Sequence, residues 1–400
     1  MVRNMFQPLL KHLSKKEFTI ITGARQTGKS TLIKQLNEHC QKTGMPSIFL
    51  NLENKDILTH LNESPLNLFS YLPVTEERII VFVDEVQYLQ DPSNFLKLLY
   101  DEHADKIKIV ATGSSAFYLD DSFKDSLAGR KKIFWLQTCS FDEYLQLRNL
   151  PDLLDDVVRI RANANAKSLY MDMLRQEWGA YMLYGGYPAI ITDPDNQEKI
   201  ERLAEIRDSY LKRDILESGV QNETTFYYFF RILAGQSGSL LNANELSVTL
   251  RVKNETIMNY MTVLQKCFHI TLVRPFFRNL RKELTKMPKV YLLDTGMQNS
   301  LLNNFQPIAF RIDKGLIWET LAYKLLYEKH NLDDILFWRT ADGNEVDFVM
   351  PYLEKPYAVE IKYDKALIKP AKYKKFEETY PDIPLSFKWL QPFEEDFFRF

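Results

Sequence analysis

Gly23-Ala-Arg-Gln-Thr-Gly-Lys-Ser30 fits the pattern G-x-x-x-x-G-K-[ST], and the apolar run Phe18-Thr-Ile-Ile-Thr22 leads into it. Two glycines permit a tight turn whose backbone N–H groups point at phosphate oxygens. A helical pattern from Ser30 onward adds the positive end of a helix dipole. In such a loop Lys29 bridges the β- and γ-phosphates of a nucleoside triphosphate, and the Ser30 hydroxyl ligates Mg²⁺. Gly23, Ala24, Arg25, Gln26, Thr27, Gly28, Lys29, Ser30 and Thr31 are therefore the candidate contacts of ATP.

A second cluster closes Glu77-Arg-Ile-Ile-Val-Phe-Val-Asp84-Glu85. The continuous apolar run reads as a buried parallel strand, with both acids at its C-terminal edge, where open α/β sheets place ligands. Asp84 is expected to hold Mg²⁺ through water, and Glu85 to orient and activate the attacking water. A further strand, Lys106-Ile-Lys-Ile-Val-Ala-Thr112, ends in Gly113-Ser114-Ser115. Thr112, Ser114 and Ser115 are alternative partners of the γ-phosphate, with Ser114 taken as catalytic, and each equally reads as a helix-capping turn residue. Arg130 follows Gly129 and precedes the strand Lys132–Leu136. It is expected to stabilise transition-state charge, in its own subunit or a neighbour's, or to be a salt-bridged surface residue.

The chain that positions these groups has 400 residues, enough for two or three domains. Its net charge of −2, from 51 basic and 53 acidic residues, excludes a generic polyanion binder, so a nucleic-acid surface must be a local patch. Cys40, Cys139 and Cys267 are isolated, which argues for a reducing compartment and against a zinc site. With no signal-like N-terminus and no apolar run of membrane length, a cytoplasmic protein without a membrane partner is expected.

Residues 1–16 read as a short helix, and Pro46–Glu53 as a second strand of the sheet. Residues 141–215 read as largely helical, a lid over the nucleotide, with Gly185-Gly186 as a packing turn. Leu240–Lys253 and Asn254–Lys266 read as two helices across a turn, with Asn254 as an N-cap. Extended segments at 268–277 and 288–294 complete a winged-helix pattern. Arg274, Arg278, Arg281, Lys282, Lys286 and Lys289 stand there against Glu283 alone, a density that suits phosphate contacts. DNA is thus an expected partner, and a protein partner the competing one.

The last hundred residues carry another constellation. Glu319 lies on the helical stretch Gly315–Leu326, and the strands Ile335–Arg339, Glu345–Met350 and Tyr357–Lys362 follow. Alternation puts Glu360 and Lys362 on one strand face, with Asp347 opposite them. Two carboxylates suit a hard divalent cation, and a lysine beside them can assist a water, as in metal-dependent phosphodiester cleavage. An ordinary polar sheet face is the alternative.

Taken in order, the loop Gly23–Ser30, Val83-Asp-Glu-Val-Gln87, Thr112-Gly-Ser-Ser115, Leu127-Ala-Gly-Arg130, Gly185-Gly-Tyr-Pro188, Lys289-Val-Tyr-Leu-Leu-Asp-Thr-Gly296, Trp338-Arg-Thr340, Glu345-Val-Asp-Phe348 and Val359-Glu-Ile-Lys362 carry a resemblance. Across nearly the whole chain they resemble the bacterial and archaeal AAA-type P-loop ATPases with a C-terminal restriction-endonuclease-like (PD-(D/E)xK) domain of unknown function. The resemblance implies an arginine-finger role for Arg130 and a nuclease-like C-terminal fold. The expected architecture is α/β: a P-loop ATPase core (1–140), a helical lid (141–220), a winged helix (221–295) and a nuclease-like domain (296–400).

The expected activity is Mg²⁺-dependent ATP hydrolysis, with a second divalent cation at Glu319, Asp347, Glu360 and Lys362 if the last domain cleaves DNA. The rival is a nucleotide-gated interaction switch with an inert nuclease-like domain. A homo-oligomer fits either. A small-molecule kinase is disfavoured, because Asp84-Glu85 supplies a water-activating acid that such an enzyme does not need.

Overall fold

A computed structural model describes residues 3–113, 127–278, 283 and 286–399, without the side chains of 213–218. The chain divides into two compact units, Met1–Cys139 with Lys266–Phe268 and Ser140–Gln265 with His269–Phe400.

In the first unit Phe18–Thr22 (β1), Ser47–Asn51 (β2), Ile79–Asp84 (β3), Ile107–Gly113 (β4) and Lys131–Trp135 (β5) form a parallel sheet in the order β2-β3-β4-β1-β5. Its central strands are apolar at successive positions because helices cover both faces. On one face Phe6 and Leu9 of Phe6–His12 (α1) and Leu32, Ile33 and Leu36 of Lys29–Lys42 (α2) meet Ile21, Phe82 and Val110. On the other, Leu61 of Lys55–Glu63 (α3) and Phe95, Leu96 and Leu99 of Pro92–His103 (α4) meet Ile20, Val81, Val83 and Ile109. Strand β4 pairs with β1 on one side and β3 on the other. The C-terminal ends of all three strands therefore meet at one sheet edge, which gathers Gly23, Asp84 and Thr112.

The second unit starts with helices Phe141–Leu147 (α5), Pro151–Ala162 (α6), Met171–Tyr184 (α7), Pro188–Ile191 (α8) and Asn196–Ser218 (α9). Glu223–Gly235 (α10), Ala243–Leu250 (α11) and Asn254–Lys266 (α12) follow, then the antiparallel pair Ile270–Val273 (β6) and Lys289–Leu292 (β7). Helix α11 is shorter than the sequence pattern suggested. Asn242 caps it by accepting from the Glu245 N–H, and Arg251 ends it in the left-handed region. Asn254 is the first helical residue of α12 rather than a residue preceding it.

The next helix, Thr295–Leu302 (α13), is buried at seven successive positions from Thr295 to Leu301. Its polar side chains find backbone partners: Gln298 donates to Ala234 O and Asn299 to Leu183 O, while buried Arg311 donates to Asn299 Oδ1. The Gly185-Gly186 turn locks onto the start of this helix. Asp294 accepts from the Gly186 and Met297 N–H groups. A Cβ on Gly185 (φ +76°) would stand 2.2 Å from Asp294 Oδ1, and one on Gly296 2.1 Å from Tyr184 O. Neither position can carry a side chain without backbone movement.

Helix Lys314–Tyr327 (α14) then leads into Leu336–Arg339 (β8), Glu345–Met350 (β9), Tyr357–Asp364 (β10), helix Lys374–Thr379 (α15) and Leu385–Gln391 (β11). The four strands form a mixed sheet in the order β11-β10-β9-β8, with β10 and β11 parallel. Leu336, Trp338, Val346 and Val349 pack under Tyr373, Phe376 and Tyr380. Among the described residues no helix is long and apolar enough to cross a membrane.

Candidate functional site

The loop between β1 and α2 is shaped by Gly23 (φ +147°) and Gly28 (φ +93°). A Cβ on Gly23 would stand 2.1 Å from Leu136 O, so the close pass of loop and β5 exit admits only glycine. Arg3 donates to Thr27 O and Gln137 O, and Thr27 Oγ1 donates to Ala24 O at 2.8 Å. Lys29 is 4% exposed, and its ammonium donates to Gly23 O at 2.9 Å and Ala24 O at 2.8 Å. The cation is thereby held against the loop that would cradle phosphates.

Ser30 Oγ donates to Asp84 Oδ1 at 3.1 Å, which puts the two expected magnesium holders together. Thr112 ties the acid pair into one unit. Its Oγ1 donates to the same Asp84 oxygen at 2.5 Å and accepts from the Glu85 N–H at 3.0 Å. Glu85 sits in the left-handed region (φ 60°), a conformation that costs energy in a non-glycine residue and that the Thr112 contact holds. Gln87 Nε2 donates to Glu85 Oε2 and so aims the carboxylate. Thr112 thus engages both acids, while the alternatives Ser114 and Ser115 lie outside the described residues. Gln87 was not anticipated, although its place two residues after Glu85 was visible.

Arg130 does not belong to this edge. Its carbonyl accepts from the Phe18 N–H, where β1 begins, while the phosphate loop follows the far end of that strand. Its guanidinium pairs with Asp101 through Nε at 2.6 Å and a second nitrogen at 3.2 Å. The expectation of charge stabilisation within its own subunit is corrected by that position.

Of the expected basic wing, Lys289 is not at the surface. Arg274 pairs with Asp333 and Arg278 with Asp382 at 2.9 Å. Lys289 is 2% exposed. Arg281 and Lys282 lie outside the described residues, and Lys286 is exposed. Glu283 is buried, accepting from the Phe277 N–H and from Tyr352 OH.

The C-terminal residues singled out in sequence do come together. Asp347 Oδ2 accepts from the Ile361 N–H at 2.9 Å, and Glu360 Oε2 from the Asp347 N–H at 3.2 Å. Glu360 Oε1 accepts from Lys362 and from Tyr373 OH. Glu319 Oε1 accepts from Tyr291 OH at 2.7 Å. Lys289 joins them with its ammonium 2.6 Å from Glu345, 3.3 Å from Glu319 and 3.7 Å from Asp347. Burial pushes the Glu360 and Glu319 carboxyls above the usual range. For Lys289, burial opposes the charge, but Glu319, Asp347 and Glu345 outweigh it and raise its pKa. Among the described residues no three Asp, Glu, His or Cys side chains are grouped as a metal site requires. The expected second cation there is therefore not supported.

Three parts of the chain match known domain models. Residues 15–145 match the model of the AAA domain. Residues 175–307 and 314–395 match two domains of unknown function, DUF8612 and DUF4143. Similar proteins described as uncharacterized occur in Mycobacterium tuberculosis (26% identity, 88% of this chain and 72% of that protein) and Haemophilus influenzae (25%, 90% and 86%). A solved Thermotoga maritima RuvB variant is similar over 68% of this chain and 88% of its own, at 15% identity and a TM-score of 0.32, too low to carry an inference.

Proposed function

We propose that the N-terminal unit is a Mg²⁺-dependent ATPase whose turnover switches the rest of the chain between states. The observation that carries this reading is the joined set Ser30–Asp84–Thr112–Glu85 beside the glycine-shaped loop. The donor set fits Mg²⁺: a hydroxyl and a carboxylate oxygen 3.1 Å apart at the phosphate loop. When bound, Mg²⁺ would neutralise charge on the phosphates, held by Ser30 and by Asp84. Loop N–H groups bind the phosphates, and Lys29 exchanges its loop carbonyls for phosphate oxygens. Glu85 orients the attacking water and takes its proton, so that ATP and water yield ADP and phosphate. Thr112 fixes the backbone from which Glu85 acts.

In this reading α11, α12 and the β6–β7 pair act as a winged helix, and the partner is a protein rather than DNA. What favours the protein is that Arg274, Arg278 and Lys289 already neutralise carboxylates. Arg130 acts on the site of a neighbouring copy.

The test separates binding from turnover. Glu85→Gln should bind ATP with wild-type affinity and lose at least about 100-fold in hydrolysis, whereas Lys29→Ala should lose ATP binding. Wild-type hydrolysis in Glu85→Gln would overturn the assignment.

A further inference from the structure

The C-terminal cluster has the residue types of a metal-dependent phosphodiesterase, which makes the fit of a divalent cation the question to settle. A carboxylate ligand needs an oxygen lone pair aimed at the ion. Here most of these oxygens already accept a hydrogen bond or face a cation. Asp347 accepts from a backbone N–H on one oxygen and faces Lys289 on the other. Glu360 accepts from Tyr373 and Lys362 on one oxygen and from the Asp347 N–H on the other. Glu345 faces Lys289 on one side and Arg339 on the other. Glu319 is held by Tyr291 and Lys289 through one oxygen.

The centre of the arrangement is a cation supplied by the chain. The Lys289 side chain is 2% exposed, so it cannot stand aside into water while β7 stays paired. Its backbone is fixed opposite Val273 in β6, and the ammonium also lies over the Phe337 ring, 5.5 Å from its centroid. A divalent ion brought to Glu319, Glu345 and Asp347 would meet this ammonium at contact range and be repelled.

We infer that Lys289 is the resident cation of this cluster, standing where a hard divalent ion would otherwise sit. The cluster therefore binds no divalent metal, and it ties strand β7 to helix α14 and strand β9. Removing the ammonium takes away the cation that Glu319, Glu345 and buried Asp347 share, which is destabilising. The inference is independent of the ATPase reading, because neither measurement below uses nucleotide.

The test is Mn²⁺ binding to the full chain, followed by the resonance of free Mn²⁺, together with thermal melts with and without Mn²⁺. Wild type and Asp347→Asn should bind Mn²⁺ identically, and Mn²⁺ should shift their two midpoints by the same amount. Lys289→Met should melt about 10 °C lower, and Mn²⁺ should restore part of that loss. A saturable wild-type Mn²⁺ site that disappears in Asp347→Asn would overturn the inference. So would a Lys289→Met protein that melts like wild type. If Lys289→Met does not fold, the comparison of wild type with Asp347→Asn decides alone.

Discussion

Thr112→Val removes one hydroxyl and keeps nearly the same volume, which makes it the sharpest perturbation of the proposed catalytic edge. The lost hydroxyl donates to Asp84 at 2.5 Å and accepts from the Glu85 N–H at 3.0 Å. Hydrogen bonds to a charged group contribute about 1.5–3 kcal/mol. The Asp84 bond concerns magnesium holding, and the Glu85 bond concerns the position of the water-activating carboxylate. If that energy is expressed mainly in the transition state, kcat falls by about 10- to 100-fold, at roughly 1.4 kcal/mol per tenfold. The KM for ATP should change less than about threefold, because the loop N–H groups and Lys29 are untouched. Some stability is lost as well, since leaving the half-buried Glu85 N–H without a partner costs up to about 1–3 kcal/mol. The assay is steady-state phosphate release across an ATP titration, paired with a thermal melt to confirm folding. A kcat within about twofold of wild type, or a loss confined to KM, would refute the role given to Thr112.

Other outcomes follow from the same contacts. Gly296→Ala should lower the melting midpoint by about 10 °C or abolish soluble protein, because its Cβ would meet Tyr184 O at 2.1 Å; a midpoint within about 2 °C of wild type would contradict the interlock. Lys108 lies fully buried on β4 near His12, Glu17 and Arg78, and burial first, then Arg78, lowers its pKa from 10.5 to about 7. The folded chain then binds fewer protons than the unfolded one between those values, so stability rises with pH across that window, by up to about 1.4 kcal/mol per unit, and flattens below it. Denaturant titrations at stepped pH should show that rise in wild type and lose it in Lys108→Met; an unchanged slope in the variant would sink the assignment. Arg130→Ala should leave kcat of the dilute, unassociated chain within about twofold, since its partner Asp101 lies away from the phosphate loop; a tenfold fall under those conditions would place Arg130 in its own site after all.

The phosphate loop and the acid pair were legible because their signals are local. Glycine spacing, a continuous apolar strand and a following helix each follow from a few consecutive residues. The position of Arg130 was legible in principle: in a parallel sheet, a residue before β5 lies at the edge opposite a loop that follows β1. The engagement of Thr112 with both acids was not, since it depends on which way the strand end turns that side chain toward Asp84. Lys289 was misread for a tertiary reason. Its basic neighbours suggested a solvated wing, but the acids that bury it arrive from α14 and β9, far along the chain. The Glu360–Lys362 pairing followed from strand alternation, whereas the bond from Tyr373 to Glu360 depends on a helix-edge residue that no strand pattern reveals.

The most direct test of the central claim is phosphate release from ATP by the wild-type chain and by Lys29→Ala and Glu85→Gln, with and without duplex and single-stranded DNA. The account predicts Mg²⁺-dependent hydrolysis that vanishes in both variants and is indifferent to either DNA. Hydrolysis that persists in Glu85→Gln would contradict the catalytic assignment. Hydrolysis stimulated by DNA would contradict the protein partner and return the wing to nucleic-acid binding.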